Sequence, residues 1–296
     1  MPAYNHEKFV GPAIESVLNQ SMSELELVIV NDGSTDSTEA VIQSFDDPRI
    51  HYHYQHNQDA YNALNAGIGF SRGEFIAIIN SDDVYTPNRL QRLVEVQRES
   101  SAEFLFSDVE PIDENGRQLG GTPHPWNDWH RRNRDFYAER NNLFRGFLHG
   151  NFMVTTSNIF MSASLCERVG GFAPIRYLHD YDYVFRLLEA AGERAGYLQH
   201  EKLLMYRIHG GNTLSEAAIT GREQDREIIR KYLLRALPET SRELAETGIN
   251  RLIELEHELI QVRRQLRQQS KPKPPTPVSL PRRILRAARR RLSGAG

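Results

Sequence analysis

Cysteine is nearly absent from the 296-residue sequence, since Cys166 is the only one. A single thiol excludes an intramolecular disulfide, and a small buried side chain in a reducing compartment is the simpler interpretation of it. Long apolar runs are lacking too: no stretch approaches the ~18 residues that a membrane-spanning helix needs. No basic-then-apolar leader opens the sequence. We therefore expect a cytoplasmic protein without a membrane span.

Acidic residues are missing from one region of the chain. Residues 271–296 carry eight Lys or Arg and no acid, so the net charge of −3 leaves −11 on residues 1–270. An acidic body disfavours a nucleic-acid-binding surface, and we expect no nucleic-acid partner. The remaining composition, 39% hydrophobic and 25% charged, is typical of a globular protein with one large or two modest domains.

Short apolar segments typical of strands alternate with segments of helical periodicity along the first half of the chain. Strands are predicted at 25–30, 50–54, 74–79 and 103–108. Helices are predicted between them at 36–45, 59–71 and 86–100. This alternation predicts a doubly wound α/β domain with a mostly parallel sheet and helices on both faces. Such sheets bind ligands at the carboxyl ends of their strands, which is where the polar turns 31–36 and 80–83 lie.

These two turns contain the first candidate functional residues. Adjacent acids in a turn are most often helix caps or solvated surface. Asp82 and Asp83, however, follow a strand that should be buried, and two carboxylates at that rim can hold Mg²⁺ or Mn²⁺ against diphosphate oxygens. Asp32, in the other turn, could accept hydrogen bonds from a nucleoside or could be an ordinary Asx-turn residue.

Six segments occur in the order found in family 2 glycosyltransferases. They are "PAYNHEKFVGPAIESVLNQS", "ELVIVNDGSTDST", "NQDAYNALNAGIGFSRGEFIAIINSDD", "GGF" at 170–172, "HDYDYVFRLLEAAG" and "YRIHGGNT". Residues 1–215 therefore resemble this family, whose members are inverting enzymes of the Rossmann-like GT-A fold. The resemblance implies a metal-dependent enzyme that transfers a sugar from a nucleotide-diphosphate donor.

The resemblance also implies roles for single residues. Asp32 would contact the nucleoside, and Asp82 and Asp83 would form the metal-binding motif. Asp180 would be the base that takes the proton of the acceptor hydroxyl as that hydroxyl attacks the anomeric carbon. Further contacts with the nucleotide-sugar are expected from Tyr4, Asn5, Asn62, Asn65, Arg207 and His209.

Several of these residues also have an ordinary structural interpretation. Taken alone, Asp180 would more often cap a helix, and Asp182, a weaker candidate for the base, would pair with Arg186 one turn further on. Arg207 and His209 resemble a late segment that approaches the diphosphate, but they could equally be turn residues at the end of a strand.

The resemblance divides the chain into four expected regions. Residues 1–110 would form the nucleotide-sugar-binding half of the GT-A domain, and residues 111–215, beginning with a polar, aromatic-rich loop at 111–140, the acceptor-binding half. Residues 216–269 would be a helical extension. A short coiled-coil seam within it, able to pair two subunits, is predicted from Leu252, Leu255, Leu259, Val262 and Leu266. Residues 270–296 would be a Pro-rich linker and a basic amphipathic tail.

Three features depart from the family pattern. The family's first strand normally precedes "PAYN", so we expect that strand to be missing here. Asn80 stands where many members have aspartate, and His179 replaces a common glutamate beside the expected base. The absent strand and His179 motivate one alternative, a catalytically impaired relative that acts as an assembly partner, whereas metal binding through Asp82 and Asp83 is expected despite Asn80.

The leading prediction is a transferase that uses a UDP-sugar and a glycan or lipid-linked acceptor in cell-surface polysaccharide biosynthesis. A sugar-nucleotide nucleotidyltransferase is a second alternative, but it would need a Gly/Arg-rich phosphate loop near the start, and the sequence shows none. Residues 282–292 gather apolar side chains on one side of a basic helix, a pattern that favours docking on anionic lipid. Nucleic-acid contact or disorder are the alternatives for this segment. Because enzymes of the family that the sequence resembles often extend lipid-linked glycans at the inner membrane face, we expect the protein there.

Overall fold

The computed structural model describes residues 1–210 and 220–269. A first compact unit, Met1–Ala236, is followed by a second that begins at Leu237. The domain boundary expected near residue 215 therefore lies ahead of a helix, Thr220–Ala236, that belongs to the first unit. The linker and basic tail expected at 270–296, including the amphipathic segment 282–292, lie outside the described residues.

The first sheet consists of three parallel strands. They are β1 (Pro2–Ala3), β2 (Leu27–Asp32) and β3 (Ile50–Gln55), in the order β1-β2-β3. Every residue of β2 is buried, because one face packs on helix α1 (Val10–Leu18) and the other on helix α3 (Ala60–Phe70). Helix α2 (Thr38–Gln43) follows β2. The prediction of parallel strands covered by helices on both faces is confirmed in this part of the fold.

The second sheet has five strands and is mixed. They are β4 (Phe75–Ala77), β5 (Val84–Tyr85), β6 (Phe104–Ile112), β7 (Phe160–Ser162) and β8 (Ala195–Arg207), in the order β4-β7-β6-β8-β5. Only β6 and β8 pair in parallel, and the other three pairings are antiparallel. The expectation of a mostly parallel sheet was wrong for this sheet, because the sequence alternation on which it rested ends near residue 110, before β7 and β8 begin.

Helices surround the second sheet within the first unit. They are α4 (Arg89–Ser100), α5 (Pro125–Arg140), α6 (Leu143–His149), α7 (Ala163–Val169), α8 (His179–Ala191) and α9 (Thr220–Ala236). The core beneath them is strongly aromatic, with Phe104, Phe106, Phe147, Phe152 and Phe185 all buried. Since aromatic side chains bury large apolar areas, this cluster fixes α6 and α8 against β6.

The loop expected at 111–140 was partly wrong, because Pro125–Arg140 is helical. Pro125 occupies the first helical turn, where its missing N–H costs nothing, and the His124 ring accepts the N–H of Trp126. The helix ends at Asn141, whose φ of 45° is left-handed. Because many of its residues are charged, the amphipathic pattern of this helix is weak and does not predict a helix from the sequence.

The edges of the two sheets face an apolar cavity. The N-terminal amine of Met1 donates to the carbonyl of Val28 (2.7 Å), and β1 pairs with β2 only at Pro2 and Ala3. A cavity of about 330 Å³ lies beside this short strand and is also lined by Phe75 and Ile76 of β4. β1 is therefore a strand of two residues at the edge of the first sheet.

The second unit contains one long helix, α10 (Glu239–Gln269). Within residues 1–210 and 220–269, no helix is both long and apolar enough to cross a membrane.

Candidate active site

The segment that follows β1 connects the two polar turns predicted from the sequence. Asn5 Oδ1 accepts the N–H of Thr35 at 2.8 Å, in the turn after β2. His6 Nδ1 lies 2.8 Å from Ser81 Oγ, in the turn after β4. Asn5 has a φ of 50°, a left-handed conformation that asparagine tolerates better than most residues. Residues 5 and 6 therefore bring the two turns to one edge of the molecule.

Asp82 lies between two histidines. Its Oδ2 is 3.0 Å from His209 Nε2 and 4.0 Å from His6 Nε2. One ligand atom from each of the three side chains lies within 4.8 Å of the other two. Burial lowers the pKa of His6, which favours the form of the ring that can offer a lone pair. Two imidazole nitrogens and one carboxylate oxygen are a donor set that fits a divalent cation.

The charge of Asp82 is maintained although its side chain is only 14% exposed. Burial opposes ionisation, but the hydrogen bond from His209 and the charges of His6 and His209 hold the pKa of Asp82 below its ordinary value. Asp82 is therefore an ionised carboxylate that faces two rings.

Asp83 lies in a different environment, although it is the next residue. Its Oδ2 accepts hydrogen bonds from Ser157 Oγ (2.5 Å) and Thr155 Oγ1 (3.1 Å), and its Oδ1 accepts the N–H of Arg207 (3.0 Å). Burial, together with the charge of Asp82, raises the pKa of Asp83 to about 7. The structure therefore does not join Asp83 to the group formed by Asp82 and the two histidines.

Arg207 fixes the backbone of this acidic turn. Its Nε donates to the carbonyl of Asp82 (2.8 Å), and its Nη1 donates to the carbonyls of Asp113 (3.0 Å) and Glu114 (3.1 Å). The guanidinium also lies over the ring of Phe9, 5.1 Å from its centroid. Arg207 was expected at the diphosphate. The structure places it against the metal-candidate turn, where its described hydrogen bonds hold main-chain carbonyls.

Asp180 lies in the first turn of helix α8, and among the described residues Asn151 is its side-chain hydrogen-bond partner. Asn151 Nδ2 donates to Asp180 Oδ2 at 3.0 Å, and Asn151 Oδ1 is buried without a partner. Burial raises the pKa of Asp180, while the charge of His179 and the Asn151 hydrogen bond oppose that rise. A carboxylate with an elevated pKa is a stronger proton acceptor, provided that it remains ionised.

Asp182, two residues further along α8, is tied to the protein interior. Its oxygens accept hydrogen bonds from Arg186 Nε (3.0 Å), Lys231 Nζ (2.8 Å) and Tyr232 Oη (2.9 Å). The pairing with Arg186 expected from the sequence is thus present. Two of the three donors come from α9, so Asp182 connects the helix that carries Asp180 to the end of the first unit.

Tyr206 is the common neighbour of the acids. Its pKa is raised first by burial and then by the charges of Asp83, Asp82 and Asp180. All three carboxylates therefore lie within electrostatic range of one phenol. The two acidic motifs, which are far apart in the sequence, are brought to the same part of the fold.

A second pocket lies beside Tyr206. The ring of Trp126 stacks on Tyr206 with 5.9 Å between centroids. Trp126 also lines a pocket of about 230 Å³, together with Arg131, Arg134 and Lys202. Trp126, Arg131 and Arg134 belong to α5, and Lys202 belongs to β8. Stacking of Trp126 on Tyr206 brings this pocket close to the acidic residues.

The remaining predicted residues lie around the first sheet. Asp32, which is 3% exposed, accepts hydrogen bonds at Oδ1 from Gln55 Nε2 (2.7 Å) and the N–H of Gln58 (3.0 Å). Tyr4 is 44% exposed, which leaves its ring available to a ligand. Asn62 donates to the carbonyl of Gln58 (2.6 Å), one turn earlier.

Asn65 has both of its amide atoms paired inside the protein. Its Nδ2 donates to the carbonyl of Phe172 (3.0 Å), and its Oδ1 accepts the N–H of the same residue (2.7 Å). A Cβ on Gly171 would lie 2.7 Å from that oxygen, so the "GGF" segment needs glycine here. The structure thus places Asn65 at a contact between α3 and this segment.

Two residues of the site were not singled out in the sequence. His6 lies within the matched segment "PAYNHE", and its two neighbours in the cluster are 76 and 203 positions later, a spacing that no local motif shows. Asn151 follows α6 and has no sequence signal of its own. Only the fold brings these residues to Asp82 and Asp180.

Solved structures share this architecture. The S. aureus protein TarS in complex with UDP-GlcNAc aligns with a TM-score of 0.63 at 19% identity, over 81% of this chain and 67% of that one. The mannosyltransferase PcManGT from Pyrobaculum calidifontis, in complex with GDP-Man and Mn²⁺, aligns with a TM-score of 0.58 at 16% identity, over 98% and 78%. The fold is therefore the GT-A fold, as the resemblance implied.

The sequence comparisons assign the family. Residues 1–167 match the model of glycosyl transferase family 2. An uncharacterized glycosyltransferase of Nostoc is 30% identical over 225 residues, which is 75% of this chain and 67% of the relative. The succinoglycan biosynthesis protein ExoO of Rhizobium meliloti is 36% identical over 118 residues, 40% of this chain and 34% of that protein. The chain belongs to glycosyltransferase family 2.

One relative shows how much length is shared. An uncharacterized glycosyltransferase of Rickettsia typhi is 28% identical over 219 residues, which cover 73% of this chain. The matched part spans 65% of that relative's own length.

Proposed function

We propose that this protein transfers a sugar from a nucleotide-diphosphate sugar to an acceptor hydroxyl, with inversion at the anomeric carbon. The observation that supports this proposal best is the segment 151–157, which contacts both acidic motifs. Its Asn151 donates to Asp180, and its Ser157 donates to Asp83, the residue after Asp82. Asp82 belongs to a cluster suited to a metal, and Asp180 accepts a hydrogen bond from the side-chain amide of Asn151. Those are the two functions that glycosyl transfer needs.

Asp82, His6 and His209 are the proposed cation ligands. Mg²⁺ prefers oxygen ligands, so two imidazole nitrogens favour a first-row transition ion such as Mn²⁺. When bound, the cation would offset the negative charge that grows on the departing diphosphate. Asp83 and Arg207 would then act indirectly, because they fix the backbone that carries Asp82.

Asp180 is the proposed base. Its carboxylate accepts the proton of the acceptor hydroxyl while the hydroxyl oxygen forms a bond to the anomeric carbon and the bond from that carbon to the diphosphate oxygen breaks. Attack from the face opposite the diphosphate gives inversion. Asn151 holds one oxygen of Asp180 in place, which leaves the other for the acceptor.

Asp32, Tyr4 and Asn5 are proposed to contact the nucleoside. They lie on β2 or on the segment that joins the two polar turns. Asp32 Oδ1 is occupied by Gln55 and Gln58, so Oδ2 would accept a base N–H or a ribose hydroxyl. We favour a uridine nucleotide.

The proposed acceptor is a glycan or a lipid-linked sugar, in the synthesis of a cell-surface polysaccharide. The similarity to a succinoglycan biosynthesis protein supports the class of pathway. The pocket beside Trp126 supports the acceptor class, because an aromatic ring and basic side chains can contact sugar rings and phosphates. The basic residues of 282–292 would bind anionic lipid and hold the enzyme at the inner membrane face.

A panel of nucleotide-sugars, assayed for nucleotide release in the presence of Mn²⁺, tests the proposal. We expect one donor to be used well by the wild-type protein, and we expect Asp82→Ala and Asp180→Asn to remove that activity. Glu139→Gln, at an acid of α5 whose side chain is 71% exposed and which does not line the pocket beside Trp126, is the matched control and should retain it. Release by both active-site variants at the wild-type rate, or no release from any donor by the wild type, would contradict the proposal.

A further inference from the structure

Helix α10 presents a continuous apolar stripe to solvent. The stripe consists of Leu252, Leu255, Leu259, Val262 and Leu266, and each side chain is at least 42% exposed. The spacing of three and four residues places all five along one side of the helix. Solvent-exposed leucines in such a row are costly, because each would gain roughly 1.5–3 kcal/mol on full burial.

The spacing defines the heptad positions. Leu252, Leu259 and Leu266 occupy positions a, while Leu255 and Val262 occupy positions d. This assignment places the residues that flank the stripe at positions e and g, where charged side chains of one helix meet those of its partner in a coiled coil.

The flanking charges are complementary to a second copy of the same helix in parallel register. Arg251 and Glu258 are at positions g, and Glu256 and Arg263 are at positions e. A parallel pair brings each g residue to the e residue five positions later on the partner helix. Arg251 then meets Glu256, and Glu258 meets Arg263, so both contacts join opposite charges and each occurs twice by symmetry.

The ion pairs described for Arg251 within its own helix are weak. Arg251 Nη1 lies 3.0 Å from Glu254 and 3.7 Å from Glu258 along its own helix. All three side chains are more than half exposed, and ion pairs of this kind contribute little, so they can rearrange at low cost.

We propose that α10 is a dimerisation helix, in which the stripe of two copies forms a parallel, in-register, two-stranded coiled coil. The dimer is independent of the proposed chemistry, because none of the stripe residues belongs to the candidate active site.

Sedimentation velocity of the full chain measures the association. We expect a concentration-dependent species of twice 34.0 kDa, and we expect Leu255→Glu or Leu259→Glu to weaken the dimer at least tenfold. Nucleotide release by these variants should equal that of the wild type. Glu258→Arg should weaken the dimer, and adding Arg263→Glu to the same chain should restore it.

Introduced cysteines test the direction of pairing, because the native Cys166 is buried. In a parallel pair, Leu252→Cys chains cross-link with each other on oxidation, and so do Leu266→Cys chains. In an antiparallel pair neither cross-links alone, and a link forms only when the two variants are mixed.

Four results would overturn the inference. They are a monomer at the highest loading concentration, a larger oligomer in place of a dimer, cross-links only between the two different variants, and a dimer that Leu259→Glu leaves unchanged. Occupation of the stripe by another protein or by lipid would be seen as the first of these.

Discussion

Two regions of the molecule carry a pair of acids, and the pairs are arranged alike. In the turn after β4, Asp82 faces two histidines while Asp83 is held by hydrogen bonds inside the protein. At the start of α8, Asp180 has a single amide partner while Asp182 is held by Arg186 and two groups of α9. In each pair one acid is proposed to take part in the chemistry, and the other fixes the element that carries it. A cluster of acids in a sequence is therefore not a cluster of equivalent ligands.

The largest effect should come from removing the proposed base. Asp180→Asn keeps the size of the side chain but cannot accept the proton, and general-base catalysis contributes about 10²–10⁴-fold. We expect a loss of that order in kcat for sugar transfer, with the KM for the donor little changed. Thermal unfolding should show that Tm is preserved. A variant with more than a tenth of the wild-type kcat would contradict the assignment.

The cation ligands should give the next largest effect. His209→Ala or His6→Ala removes one imidazole from the proposed site, and we expect the Mn²⁺ concentration for half-maximal nucleotide release to rise roughly 10–100-fold. His149→Ala, on α6, is the matched control because its Nδ1 contacts Asn133 and no member of the site. Equal Mn²⁺ dependence in all three variants would remove the histidines from the site.

Substitution of Asp182, the inward-facing acid of α8, should reduce the stability of the fold more than it reduces kcat. Asp182→Ala leaves Lys231 and Tyr232 without their buried acceptor, and we expect unfolding to cost about 2 kcal/mol less. The loss is moderated because the Lys231 side chain is 47% exposed and can be rehydrated. Asp182→Asn should recover part of the stability. If Asp182→Ala lowered kcat as much as Asp180→Asn at unchanged Tm, the two acids would not differ in the way described.

The smallest expected effect is on the pH profile. Activity needs ionised Asp180, so it falls as pH drops through the pKa of that group. Burial raises this pKa, and the N–H of Asn151 lowers it. Asn151→Ala removes the lowering contact, so the acid limb of kcat/KM should move to higher pH. An unchanged limb, or a shift to lower pH, would show that the limb does not report Asp180.

Much of the fold and part of the site followed from the sequence. The alternation of apolar segments predicts β2, β3, β4 and the helices between them, and the ends of β2 and β4 locate Asp32 and Asp82. The sequence could not predict that Asp82 and Asp83 diverge, because that depends on Ser157 and Thr155, which are distant in the chain. Nor could it predict the cluster with His6 and His209, which forms only when β1 and β8 are in place.

The α5 helix and the mixed sheet were missed for a related reason. The pattern of α5 is dominated by charged residues, so its helical character depends on local features such as Pro125 and on packing of Trp126 and His130. The antiparallel pairing of β7 depends on contacts between Phe160 and Leu105, which no local period reveals. Tertiary packing decided both.

Calorimetric titration of a nucleoside diphosphate tests most directly whether Asp82 and Asp83 have different roles. UDP, with GDP as a second probe, is titrated into the wild type, Asp82→Asn and Asp83→Asn, each with and without Mn²⁺. We predict Mn²⁺-dependent binding that Asp82→Asn abolishes and Asp83→Asn retains. Binding of equal strength without Mn²⁺, or an equal loss in the two variants, would contradict the account.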